Sequence, residues 1–322
     1  MSELRWNPQL MQWVIVATHR QHRTFKPPKE FCPLCPTKPG AFPTEIPAEN
    51  YEIVVFENKF PSLRTPPPEM GVQPSDLYPA APAEGICEVI CYSPDHYLTL
   101  GDATAEHIYN LIQVWADRYR ELGSKPGIEY VYIFENRGDA VGVTLHHPHG
   151  QIYAFPFIPP VPKQELEAAK QHKEKHGTCL YCDILKQEKA DQVRIVCENS
   201  SFAAFVPFYA RFPYEVHIFS KRHVGSLLDL TDDEAADLAC ILKELITGYD
   251  RLFGFTLPYI MALHQVPAKG DYPEYHLHFE FYPFNRTETK LKYLAGVESG
   301  AGTFITDMSP EEQAERLRGA VK

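Results

Sequence analysis

The order of chemical signals in this 322-residue chain occurs twice. The first half runs CPLC, VVFENKF, VICYSPDH, a helical stretch, YVYIFEN and HPHGQIYAFPF. The second runs CLYC, RIVCENSSF, VHIFSKRH, a helical stretch, LPYIMALH and HLHFEFYPF. The match aligns Cys32 with Cys179, Asn58 with Asn199, His96 with His223 and His147 with His276. His96 and His147 lie 51 positions apart, and His223 and His276 lie 53 apart. A repeat of this length makes each half one structural unit that stacks on its copy. The proline-rich PFIPPVP is the natural joint, dividing the chain into residues 1–160 and 161–322.

Within each half, strand-like runs cluster around one long amphipathic stretch. Ile108, Leu111, Ile112, Trp115, Tyr119 and Leu122 recur at helical spacing, as do Leu238, Ile241, Leu242, Leu245, Tyr249 and Leu252. Thr231 and Glu234 have the spacing of a capping box at the start of the second of these helices. Charged helices are expected near 163–175 and 309–319. Strands grouped in this way, rather than alternating with helices, predict an α+β fold of mostly antiparallel sheet flanked by helices.

The repeat doubles a metal-ligand pattern. Cys32, Cys35, His96 and His147 form one set, and Cys179, Cys182, His223 and His276 the other. Two thiolates and two imidazoles suit a tetrahedral zinc ion, and four protein ligands leave no position for water. Two structural zinc ions per chain are therefore expected. A rival set for the second half, Glu165, His264, His278 and Glu280, would suit iron or zinc. The remaining cysteines, Cys87, Cys91, Cys197 and Cys240, sit among apolar residues and read as small core side chains.

The segment GVTLHHPHGQ adds a histidine beyond the metal ligands. On a strand, residues two apart share a face, so His149 would stand beside a metal-bound His147 while His146 points the other way. A held but unligated imidazole is a nucleophile that becomes a good leaving group once protonated. Gly150 permits close backbone approach, and Gln151 on the same face can donate to a developing oxyanion. The net charge of −11 argues against nucleic acid, which draws basic surfaces. No run approaches the roughly 18 apolar residues of a membrane span, and MSELRWNPQL lacks the apolar core of a secretion signal. A cytoplasmic protein is expected.

HHPHGQIYAF resembles the active-site signature of the galactose-1-phosphate uridylyltransferases of the histidine-triad superfamily. WNPQLMQWVIVATHRQHR, FENKFPSL, VICYSPDH and KLKYLAGVES resemble further segments of that family along nearly the whole chain. The resemblance implies a ping-pong exchange. His149 takes uridylyl from UDP-glucose and passes it to galactose 1-phosphate, with Gln151 holding the α-phosphoryl group. It implies phosphate binding by Arg20 and Arg23, reaching across from a partner subunit, and by Gly142, Val143 and Thr144. Asn58 and Asn136 would lie near the nucleotide. Lys292, Tyr293 and Glu298 would contact the hexose from the other chain of a homodimer. The chain departs from the family's main branch at Val143 and Thr144, at Lys59 where an aspartate is usual, and at Glu280 in place of a metal-binding histidine. The second CxxC and GVESGAGTF resemble a sister branch that includes plant ADP-glucose phosphorylase. Two alternatives therefore stand beside the uridylyltransferase: an adenylyl-transferring phosphorylase using ADP-glucose, and a zinc-stabilised scaffold without catalysis.

Overall fold

The computed structural model describes residues 2–23, 25–40 and 43–322. The strands are β1 (Ser2–Asn7), β2 (Gln12–Ala17), β3 (Val54–Glu57), β4 (Ala80–Pro82), β5 (Ile86–Cys91), β6 (Tyr130–Arg137), β7 (His149–Phe155), β8 (Ile195–Glu198), β9 (Phe202–Phe205), β10 (Val216–Ser220), β11 (Tyr259–His264) and β12 (His278–Pro283). The helices are α1 (Ala105–Ser124), α2 (Pro160–His176), α3 (Leu180–Asp191), α4 (Asp232–Phe253) and α5 (Pro310–Val321). Among the described residues no helix is long and apolar enough to cross a membrane.

Nine strands form one antiparallel sheet in the order β3-β5-β7-β6-β11-β12-β10-β9-β8. The first half supplies one side and the second half the other. They meet at the central pair β6–β11, where Phe134 faces Ala262 and Asn136 faces Ile260. Reading outward, β7 and β12 correspond, as do β5 and β10. The next places differ from the sequence alignment, which matched β3 with β8. Beside β10 stands β9, and β8 lies one place further out.

One face of the sheet carries α1, α4 and α5. Their apolar stripes meet Val131, Ile133, Ile152, Leu263 and Phe279 in the main core. The expected periodicity of α1 and α4 is the buried stripe, and both helices start as their sequences direct. Thr104 accepts from the His107 N–H, while Thr231 and Glu234 form a reciprocal capping box. The opposite face is covered unequally. Over the second half lie α2 and α3, packing Leu166, Ala169, Tyr181 and Leu185 on Phe205, Phe219 and Tyr275. Over the first half lie the small sheet β2-β1-β4 at one end, against Tyr153 and Phe155, and the CxxC segment, whose Cys32, Leu34 and Ile46 pack on Val89 and Cys91. The His149 end of β7 is left open.

Two expectations need correction. Cys240 is exposed, because its position on α4 lies off the buried stripe; Cys87 and Cys91 are buried and Cys197 half-buried. His147 is not on a strand, since β7 begins at His149, after Pro148 has interrupted the backbone. The shared-face rule therefore applies to His149, Gln151 and Tyr153, whose burial alternates with that of Gly150, Ile152 and Ala154, and not to His147.

Candidate functional site

The first metal set assembles as its spacing predicts. Cys32, Cys35, His96 and His147 place their ligand atoms within 4.8 Å of one another. Cys35 Sγ lies 3.3 Å from His96 Nδ1 and 3.5 Å from His147 Nδ1. Zinc bonds of about 2.3 Å to sulfur and 2.0 Å to nitrogen hold tetrahedral S···N pairs roughly 3.5 Å apart, so the donors fit that ion. The outer contacts set the tautomer. His147 Nε2 is 2.8 Å from the Ser93 carbonyl, which only accepts, so Nε2 carries the proton and Nδ1 presents its lone pair to the ligand set.

The same logic passes to the next histidine. His149 Nδ1 lies 2.7 Å from the His147 carbonyl. Nδ1 therefore donates, and in the neutral ring the lone pair is on Nε2. Burial pushes the His149 imidazole below its ordinary pKa, against the upward pull of that hydrogen bond, and so keeps it neutral near pH 7. His146, by contrast, is half-exposed and 3.9 Å from Asp139.

His149 and Gln151 line a cavity of ≈ 200 Å³. Arg20, Arg23, Asn58, Asn136, Gly142, Val143 and Thr144 line it too, so one chain brings together every first-half catalytic and substrate-binding residue expected from sequence. Arg20 and Arg23 line the cavity of their own chain. A short turn, Thr18–His22, is sewn to the strand-edge loop: His19 Nε2 meets the Pro61 carbonyl at 3.0 Å, and Arg20 donates to the Phe60 carbonyl at 2.8 Å. The Gly142–Thr144 loop turns through Gly142 at φ 79°, a left-handed conformation that favours glycine. It is braced by Lys26, whose N–H donates to the Thr144 carbonyl at 2.7 Å and whose ammonium pairs with Asp139 at 2.8 Å. Asn58 accepts from the Phe60 N–H at 2.9 Å while lining the cavity. Sequence reasoning missed Phe56, Phe60, Phe134 and Tyr153, apolar and aromatic walls of the same cavity. Strand alternation from Asn136 and Gln151 carries enough signal to find Phe134 and Tyr153.

Lys292, Tyr293 and Glu298 lie elsewhere. Lys292 pairs with Glu298 at 3.0 Å and donates to the Ile305 carbonyl, whereas Tyr293 is 72% exposed. None of the three lines the cavity of its own chain.

The second half repeats the metal set and its tautomer lock. Cys182 Sγ is 3.7 Å from His223 Nδ1 and 3.6 Å from His276 Nδ1, Cys179 Sγ is 3.9 Å from His276 Nδ1, and His276 Nε2 meets the Ser220 carbonyl at 2.9 Å. His278 Nδ1 lies 2.8 Å from the His276 carbonyl, matching His149. His278, however, is buried, and its Nε2 faces Glu165 at 3.9 Å and Glu280 at 3.7 Å. Glu165, carried in by α2, closes the place where the first half is open. Glu165, His264, His278 and Glu280 converge as a further possible metal set that shares no residue with the cysteine set, so the two are not rivals for ligands. Burial opposes charge on His264, but the Glu165 carboxylate 2.7 Å away outweighs it and lifts the imidazole to about 9.

A neutral imidazole with its lone pair toward a cation-rimmed, aromatic-walled cavity can attack phosphorus and be displaced again. Fold and site together define the class of histidine-dependent phosphoryl- or nucleotidyl-transferring enzymes built on antiparallel sheets. Comparison with known proteins narrows this. Residues 1–159 match the N-terminal domain and residues 165–322 the C-terminal domain of galactose-1-phosphate uridyl transferase. The chain is 41% identical to the galactose-1-phosphate uridylyltransferase of Thermotoga maritima, over 99% of this chain and 98% of that one. Among solved structures, a uridylyltransferase superposes with a TM-score of 0.88 at 38% identity, covering 99% and 98% of the two chains. An ADP-glucose phosphorylase from Arabidopsis thaliana with bound ADP-glucose superposes at 0.75 with 25% identity, at the same coverages. The chain belongs to the galactose-1-phosphate uridyl transferase family.

Proposed function

We propose that this enzyme exchanges uridylyl between UDP-glucose and galactose 1-phosphate through a covalent uridylyl-histidine at His149. The observation that carries the proposal is the tautomer lock: the His147 carbonyl holds the Nδ1 proton of His149, and the lone pair of Nε2 is directed away from it. Nε2 attacks the α-phosphorus of UDP-glucose as the bond to the glucose 1-phosphate oxygen breaks. The imidazolium so formed keeps its Nδ1 proton on the carbonyl, which stabilises the charge without a proton transfer. A phosphate oxygen of galactose 1-phosphate then displaces Nε2 from phosphorus, giving UDP-galactose and the free imidazole. Charge gathers on the phosphoryl oxygens in both steps, and Gln151, Arg20, Arg23 and the Gly142–Val143–Thr144 loop are the donors and cations around them. Asn58 and Asn136, on the wall of the same cavity, are the proposed contacts to the nucleotide.

Zinc fits both cysteine–histidine sets, with iron an option for the Glu165 set, and in the first set it supplies a closed structural tie that orients His147. The free thiols these sets require suit a cytoplasmic setting. Residues 1–160 are taken as the half with the catalytic HPHGQ block and residues 161–322 as the half with the second metal site and the hexose-binding segment. Lys292, Tyr293 and Glu298 lie off their own chain's cavity, which suits a homodimer in which they complete the hexose end of the partner's site. The greater likeness to uridylyltransferases, 38% against 25% identity among the superposed structures, favours UDP-glucose over ADP-glucose.

The test is to incubate the protein with UDP-glucose labelled in the α-phosphate, quench, and isolate acid-labile label on protein. Label from UDP-glucose but not ADP-glucose is expected, and His149→Gly should lose it while retaining bound metal. Label only from ADP-glucose, or label that survives in H149G, would overturn the proposal.

A further inference from the structure

Glu45 is the single carboxylate among the described residues that line the cavity. Its presence needs a reason. The occupant proposed above is a diphosphate, and the other charged side chains on the wall, Arg20, Arg23 and Lys59, are cations suited to it. A carboxylate there repels phosphate and is useful only where the ligand offers hydrogen-bond donors instead of charge.

Glu45 is held firmly. Its N–H donates to the Pro33 carbonyl at 3.0 Å, inside the CxxC turn of the first metal set. Its neighbours on either side are tied to the same turn: Thr44 Oγ1 donates to the Cys35 carbonyl at 2.7 Å, and the Ile46 carbonyl accepts from the Thr37 N–H at 3.0 Å. Lys59 reaches across the wall and donates to Glu45 Oε1 at 2.6 Å, which aims the carboxylate and leaves Oε2 without a partner among the described residues. Lys59 itself follows Asn58 and precedes Phe60, both on the cavity wall. Glu45 is thus placed among Pro33, Lys59 and the apolar wall, with one oxygen satisfied and one free.

Resting on the functional reading above, we infer that Glu45 is a further substrate-binding residue, one that accepts hydrogen bonds from the vicinal ribose hydroxyls of the nucleotide. Ribose hydroxyls are the donors a nucleotide presents between its flat base and its phosphates. A carboxylate is the acceptor that dinucleotide-binding folds use for the same group. Lys59 is a positioning residue that orients the acceptor and offsets its charge toward the diphosphate. The contact is blind to the base, so it selects ribonucleotides over deoxyribonucleotides whichever base the cavity accepts.

The test compares adduct formation from UDP-glucose with that from its 2′-deoxyribose and 3′-deoxyribose analogues, as kcat/KM of the first half-reaction. The wild type should disfavour at least one analogue by about tenfold to a hundredfold, the size of a hydrogen bond to a charged acceptor. Glu45→Ala should shrink that ratio to within about twofold by weakening UDP-glucose alone, chiefly through KM. Lys59→Met should keep only part of the ratio, because the carboxylate remains but loses the partner that orients it; Glu45→Met provides an acceptor-free variant of similar length if the alanine protein folds poorly. A wild type indifferent to the missing hydroxyls, or a Glu45 variant with the full wild-type ratio, would overturn the inference while leaving the uridylyl-histidine intact. Absence of any wild-type adduct would instead fault the functional reading, and this inference would fall with it.

Discussion

Gly150 lies between the proposed nucleophile and Gln151, and replacing it with alanine tests how tightly the strand must be held. A Cβ built on Gly150 comes 2.4 Å from the Tyr92 hydroxyl oxygen and 3.2 Å from Cζ. Relieving the first contact to even 3.0 Å needs a shift of about 0.6 Å. Tyr92 is 1% exposed and packed in the main core, so it has little room to retreat. Gly150 is paired on both sides, with Ile90 of β5 and Glu135 of β6, so β7 moves as a unit and carries His149 and Gln151 with it. Overpacking of this kind costs about 1–3 kcal/mol. A reacting group displaced by about 1 Å loses on the order of a hundredfold in rate, so a shift above half that distance should cost tenfold or more. Gly150→Ala should therefore be less stable to urea by that amount and form the uridylyl adduct about tenfold to a hundredfold more slowly in a rapid-quench single turnover, with metal content unchanged. Tyr92→Phe removes the offending oxygen and leaves the ring-carbon contacts at 3.2 and 3.3 Å, so the double variant should recover most of the rate. A G150A enzyme with wild-type turnover, or a double variant no faster than G150A, would refute the claim that Tyr92 sets the position of the strand.

The two cysteine sets should separate function from stability. Cys35→Ser is expected to lose the metal of its own set and at least about tenfold in adduct rate, because His147 loses its tie. Cys182→Ser should lose the other metal and lower the unfolding midpoint while keeping the rate within about threefold; metal analysis of each purified variant beside quench kinetics decides. Glu135, buried on β6, should make stability depend on pH: burial lifts its carboxyl to about 7, outweighing the pull of Arg137. Its folded pKa lies above the unfolded one, so its contribution is fully present below about pH 4.5 and is lost as pH rises through 7, by at most about 3 kcal/mol. Glu135→Gln should match the wild type near pH 4.5 and exceed it by about 1–3 kcal/mol at pH 8 in urea unfolding, since Arg137 keeps its ion pair with Asp250.

The metal sets were legible in the sequence because ligand identity is chemical and needs no geometry: cysteine pairs and histidines in a repeated order leave few alternatives. The long helices were legible because α1 and α4 each bury a full stripe. By contrast α3 was not foreseen. LYCDILKQEKAD carries five charged residues in twelve and buries only Tyr181, Leu185 and Glu188, so its periodicity is faint. The hairpin β1–β2 gives no alternating pattern, since β1 buries Ser2, Glu3 and Leu4 in succession and no residue of β2 is fully buried. Placing His147 on the strand was an error of one boundary: Pro148 ends the regular backbone there, and the lock on His149 runs through the His147 carbonyl instead of a shared face. Glu45 carried no signal at all, because a loop that folds back on the CxxC turn brings it to the cavity, and nothing local in the sequence marks that return.

The joining of both halves through β6 and β11 has a consequence for the integrity of the chain. Main-chain hydrogen bonds and the shared core under α1 and α4, not the loop at residues 156–159, hold the halves together. A protease cut in that loop would leave the sheet continuous and the nicked enzyme assembled. Either fragment made alone would carry a bare strand flank of five or more residues at the old junction, a sticky edge that recruits its missing complement or, failing that, any other chain nearby.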